Sequence, residues 1–84
     1  MEKVYVLGGG RSYIGVENQM YRHVPAEILG AKTLSRVLQP YGSVEPDGVV
    51  AGNGVGAGGN LARLMMLEAG LSERIPAVTV DVQC

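Results

Sequence analysis

Apolar positions along this chain fall into five runs separated by glycine and proline breaks, and their periods predict the order β-α-β-α-β. Val4-Tyr5-Val6-Leu7 is a short β-favouring run closed by Gly8-Gly9-Gly10, the pattern of a buried strand. From Gly8 to Val24 no period is visible, and a loop of that length in a compact chain is usually functional, interfacial or mobile. Helix signals then start together. Pro25 suits a first helical position, and Glu27 favours the positive end of the helix dipole. Ala31, Leu34, Val37, Leu38 and Tyr41 recur at three- and four-residue spacing and share one face, with Lys32, Arg36 and Gln39 elsewhere. Pro40 and Gly42 stop this helix. After a turn-rich link, Gly48 to Gly52 forms a second short buried strand. A second helix is expected between the N-cap Asn60 and the stop at Gly70. Ala77 to Val82 then forms a third strand, with Val78, Val80 and Val82 on one face and Thr79 and Asp81 on the other.

This order implies an α/β fold with a mainly parallel sheet. Parallel sheets are covered by helices on both faces, and two helices are too few for that. The second helix adds to the deficit. Leu61 to Ala69 carries only two charges, Arg63 and Glu68, and a helix apolar nearly all round is buried on several sides. The expectation is one incomplete folding unit over residues 1–84, cut in mid-fold, whose second helix is covered by a further layer or a partner subunit.

Composition narrows the function classes. Eighty-four residues make one small domain at most, and 46% apolar content supports a core. A single cysteine rules out a disulfide framework and makes a reducing compartment the default. One His and one Cys, far apart, lack the spacing of metal ligands. A net charge of −1 provides no electrostatic footprint for nucleic acid. The short run after Met1-Glu2-Lys3 has the length of neither a signal sequence nor a membrane span, so a soluble cytoplasmic protein is expected.

Two features carry candidate chemistry. Gly54-Val55-Gly56-Ala57-Gly58-Gly59 satisfies G-x-G-x-x-G between a strand and a helix, with Asp81 roughly twenty residues on. The fingerprint normally follows a fold's first strand, and here it follows the second. Asp81 also falls inside its strand. A tight backbone loop at a packing or subunit interface is the competing reading, because glycine permits close chain approach. Cys84, directly after the third strand, allows three readings. It is a buried inert thiol, a chain end without chemical meaning, or a nucleophile at a strand-to-helix junction. In the last case the helix dipole and free N–H groups would favour the thiolate. His23 is expected to be a solvated loop residue. Arg63 is expected to pair with a carboxylate or carbonyl at an interface, and Thr79 and Asp81 are expected to be structural.

The motifs in series resemble the start of the thiolases, the acyl-CoA acetyltransferases, over essentially the whole chain. After the first strand, Arg11-Ser12-Tyr13-Ile14-Gly15 is similar to that family's R-T-P-x-G. Val24-Pro25-Ala26 and Leu29-Gly30-Ala31 follow. Gly52-Asn53 opens a glycine-rich loop ending in Gly59-Asn60-Leu61-Ala62-Arg63, close to G-Q-N-P-A-R. Ala69-Gly70-Leu71 and Ile75-Pro76-Ala77-Val78-Thr79-Val80 then lead to Cys84, which falls on the family's acyl-accepting cysteine. The chain departs from the family pattern at four positions. Tyr13 and Leu61 replace prolines, Gly59 stands where glutamine is common, and Asp81 replaces an asparagine. A carboxylate close to a thiolate would raise its pKa.

The resemblance implies a thiolase-like acyltransferase with Cys84 as the acyl-thioester nucleophile and an acyl-CoA as substrate, without a bound cofactor or metal. The family's histidines and second cysteine come from later sequence. A complementary polypeptide carrying the rest of the fold is therefore expected as partner, with the assembled unit a dimer or tetramer and the isolated 84 residues poorly folded and inactive. Two other readings stand beside it: a non-catalytic thiolase-like assembly subunit, and a small dinucleotide-binding module built on Gly54 to Gly59.

Overall fold

A computed structural model describes residues 2–54, 56 and 59–81. Helix α1 spans Ala26–Leu38 and runs into a 3-10 turn at Gln39–Tyr41. Strand β1 follows at Val49–Gly52, helix α2 at Leu61–Glu68 and strand β2 at Ala77–Val80. The two strands pair in parallel, with Val49 opposite Ala77 and Gly52 opposite Val80. The structure is therefore α/β with a parallel sheet, as the periodicity predicts.

The helix boundaries follow from local chemistry. Pro25 is the N-cap of α1 rather than its first helical residue, and its carbonyl accepts the N–H groups of Ile28 and Leu29. Ala31 is buried while Leu34, Val37, Leu38 and Tyr41 are half-buried, and Lys32, Arg36 and Gln39 face solvent. At the end of α2, Leu71 N–H donates to the Met66 carbonyl and Gly70 N–H to the Leu67 carbonyl, both at 3.0 Å. This is the Schellman closure, and it needs the left-handed φ of 82° that Gly70 supplies.

The layering is that of an incomplete unit, with both helices stacked over one face of the sheet. Helix α2 packs on both strands, and α1 packs on α2 while touching neither strand. The order is sheet, α2, α1, all on one side. Helix α2 is thus covered on two sides within the chain, which is why Ala62 and Met66 are both 0% exposed. Small residues make this stack possible. Ala31, Ala51 and Ala62 join Met66 and Ile75 in the core, and a Cβ on Gly30 would stand 2.7 Å from the Met65 sulfur. An amphipathic stripe marks which face of a helix is buried, but not what buries it.

The other sheet face is open. Side chains alternate along a strand, so Val49, Ala51, Ala77 and Thr79 face α2 while Val50, Val78 and Val80 face away. Val50 is 74% exposed and Val78 55%. Leu64 and Leu67 on α2 are exposed as well. An exposed apolar sheet face of this kind marks an interaction surface.

The first predicted strand is corrected. Val4–Leu7 carries no regular secondary structure, and Val4 is 94% exposed. β-favouring residues describe what a segment would do beside a sheet edge, and among the described residues the ladder contains β1 and β2 only. The segment is instead held by the Tyr41 hydroxyl, which donates to the Leu7 carbonyl at 2.8 Å. Further along, the Tyr21 hydroxyl donates to the Tyr13 carbonyl at 2.9 Å, and turns close from Val16 to Val24. Tyr41→Phe removes one hydrogen bond, worth about 1 kcal/mol, while keeping the ring. It is expected to raise protease cleavage within residues 2–10 several-fold and leave α2 unchanged, which limited proteolysis read by mass spectrometry checks.

Candidate functional site

In a parallel sheet, binding sites form beyond the carboxyl ends of the strands. Here those ends lie side by side. Asn53 N–H, one residue past β1, donates to the Val80 carbonyl at the end of β2 at 2.9 Å. The glycine loop leaves from Asn53 and returns at Asn60, so the loop, the start of α2 and the exit of β2 share one edge.

Two side chains bind these parts together. Asn60 caps α2, its Oδ1 accepting the Arg63 N–H at 3.2 Å. The same Oδ1 accepts the Thr79 hydroxyl at 2.6 Å, and Asn60 Nδ2 donates to the Ala77 carbonyl at 3.0 Å. Thr79 Oγ1 in turn accepts the Ala62 N–H at 2.9 Å. Thr79 is therefore structural, as expected, but its partner was not legible. An N-cap asparagine and a lone threonine on the core face of a strand are each ordinary, and only the packing of α2 on β2 joins them.

Arg63 extends the same connection. Its guanidinium donates to the carbonyls of Glu73, at 2.8 Å, and Ile75, at 3.2 Å, tying α2 to the link before β2. The carbonyl pairing is as expected, and it lies within the chain. Hydrogen bonds to a charged group contribute about 1.5–3 kcal/mol, and both leave from Nη1, which the shorter lysine side chain does not reach. Arg63→Lys is expected to speed amide exchange across residues 72–76 at least tenfold, as hydrogen-exchange mass spectrometry would show.

His23 is exposed in the turns before α1, a helix that touches neither strand. Asp81 is exposed and is the first residue past β2, not inside the strand. Cys84 lies outside the described residues, as do Val55, Ala57 and Gly58 of the glycine loop. Among the described residues no group of three or more His, Cys, Asp or Glu is placed to hold a metal ion, and no helix is long and apolar enough to cross a membrane.

Comparison with known proteins resolves the family. Residues 4–84 match the family model described as thiolase, N-terminal domain. The chain belongs to the thiolase family. Among curated relatives, it is 40% identical over an 86-residue alignment to the protein named "Putative acetyl-CoA C-acetyltransferase VraB" of Staphylococcus haemolyticus. The proteins of the same name in Staphylococcus aureus and Staphylococcus epidermidis are each 37% identical to it. All of this chain is covered, but it spans only 23% of the S. haemolyticus protein.

Two departures from the thiolase pattern have a local physical basis. Leu61 is the first residue of α2, a position whose N–H has no intrahelical partner, so proline and leucine are both accommodated there. Gly59 has φ of 92°, a conformation that glutamine would adopt only with strain. Tyr13 is exposed, and nothing in the structure explains the change from proline.

Proposed function

We propose that this thiolase segment contributes the nucleophile of an acyltransferase acting on acyl-CoA thioesters. The observation that carries the reading is the family match, which runs to residue 84 and so takes in Cys84. The sheet edge supports it, because β2, the strand that precedes Cys84 in the sequence, is bonded to the N-terminus of α2.

In this reading the Cys84 thiolate attacks the thioester carbonyl. The tetrahedral intermediate collapses with loss of CoA thiolate and leaves the acyl group on Sγ as a new thioester. A second thioester's carbanion, or CoA thiol in the degradative direction, then attacks that carbonyl and releases Cys84. Each half needs a base, an acid and oxyanion donors. The one histidine of this chain is exposed, in the turns before α1. The acid–base groups therefore come from a complementary part of the thiolase fold, which also covers Val50, Val78, Val80, Leu64 and Leu67. CoA thioester is a substrate and no bound cofactor is required. The assembled unit is a cytoplasmic dimer or tetramer working in lipid metabolism.

Asp81, three residues before Cys84, favours a second reading as a non-catalytic assembly subunit. Alkylation separates the two. The native assembly, purified with every polypeptide that accompanies it, is treated with iodoacetamide with and without prior acyl-CoA. Rapid labelling of Cys84 that acyl-CoA blocks is the expected result. Slow labelling that acyl-CoA leaves unchanged would favour the assembly subunit.

A further inference from the structure

We propose that Asn60 and Thr79 form a positioning clamp that fixes β2, the strand that precedes Cys84 in the sequence, against the N-terminus of α2. The inference rests on the reading of Cys84 as the acyl-carrying nucleophile.

The clamp exceeds what an N-cap requires. Capping α2 needs one bond, from Arg63 N–H to Asn60 Oδ1. Asn60 makes two more, and both go to β2: one to the Thr79 hydroxyl and one to the Ala77 carbonyl. Thr79 then spends its acceptor on Ala62 N–H inside the first turn of α2. The directions are determined. Oδ1 has no proton and the Ala62 N–H cannot accept, so the Thr79 hydroxyl must donate to Asn60 and accept from Ala62.

Strand β2 is consequently held along both edges. The carbonyls of Pro76 and Val80 pair with β1 through Val49 and Asn53 N–H. Successive carbonyls of a strand alternate in direction, so the Ala77 carbonyl points to the opposite edge, where Asn60 Nδ2 meets it. This also accounts for asparagine at position 60 when aspartate would cap as well. An aspartate can accept from Arg63 and Thr79 but has no donor for Ala77.

Covalent catalysis is sensitive to such placement. A displacement of about 1 Å by a change remote from the chemistry can cost on the order of 100-fold in rate. Asn60 and Thr79 touch no reacting atom in this account. They are positioning residues acting through the strand.

Three variants of the native assembly test this: Thr79→Val, which removes the hydroxyl at nearly constant shape, Thr79→Ser, which keeps it, and Asn60→Asp, which keeps the cap but loses the bond to Ala77. Single-turnover acylation of Cys84 by acetyl-CoA is read beside iodoacetamide labelling, which demands little alignment. Thr79→Val is expected to slow acylation roughly 10- to 100-fold with labelling within about threefold of the parent and KM little changed. Thr79→Ser restores most of the acylation rate, and Asn60→Asp slows it about tenfold. Parental acylation rates in Thr79→Val, or in Asn60→Asp should the valine variant fail to assemble, would overturn the clamp while leaving the acyl-cysteine reading intact. A parent protein in which Cys84 accepts no acyl group would overturn that reading, and the clamp with it.

Discussion

Cys84→Ala in the native assembly should lower acyl transfer between CoA thioesters by three orders of magnitude or more, with the affinity for acyl-CoA little changed. Removing the nucleophile of a covalent mechanism has this scale of effect because the surviving groups have no intermediate to act on. Binding energy drawn from the CoA portion does not depend on the thiol, so the loss should appear in kcat and not in KM. Steady-state kinetics in the thiolytic direction reads both. A Cys84→Ala protein retaining a tenth of the parent's kcat would remove this residue from the chemistry. Cys84→Ser should fall close to the alanine variant, because an alcohol is far less ionised than a thiol at neutral pH.

Met66→Ala has the largest expected effect on the fold. Met66 is the only large side chain that is wholly buried among the described residues, and it sits in the helix enclosed by the sheet and by α1. Truncating a buried methionine costs about 2–5 kcal/mol through lost burial and the cavity left behind. The upper part of that range applies where neighbours cannot collapse into the space. The other buried apolar residues among those described are Ala31, Ala51, Ala62 and Ile75, and the single methyl groups of the alanines cannot extend into a cavity. Cm in guanidinium unfolding of the native assembly should fall accordingly, with Met66→Leu recovering most of it. A Met66→Ala protein with the parent's midpoint would mean that α2 is not the central layer.

The elements that proved legible in the sequence are those whose signals are local. Pro25 to Tyr41 and Asn60 to Gly70 carry caps, stops and a helical period within their own span, and both helices form there. Val49–Gly52 and Ala77–Val80 are β-favouring and find each other through a crossover helix. Val4–Leu7 has equally good composition and forms no strand, because a strand is a relation between segments and this one lies along Tyr41. The stacking of α1 on α2, away from the sheet, was illegible for a similar reason. A stripe of apolar residues does not name its partner. The end of β2 at Val80, two residues before the expected Val82, places Asp81 just past the strand and not within the ladder. At the candidate site, Cys84 was legible through an ordered series of motifs, each weak alone. The Asn60–Thr79 connection was not, since it joins residues 19 apart whose local patterns give no sign of each other.

The apolar surfaces bear on how this thiolase segment exists in solution. Val50, Val78 and Val80 on one sheet face, with Leu64 and Leu67 on α2, are exposed together, and a core of three alanines, one methionine and one isoleucine is small for the area they leave uncovered.

The acyl-cysteine itself is the most direct test. The native assembly is mixed with acetyl-CoA in the absence of free CoA, quenched in acid within the first turnover and digested with trypsin, and the peptide that starts at Ile75 after cleavage at Arg74 is weighed. This peptide is expected to gain the mass of one acetyl group on Cys84, and added CoA is expected to remove it. An unmodified Cys84 in an assembly that turns over acyl-CoA would contradict it.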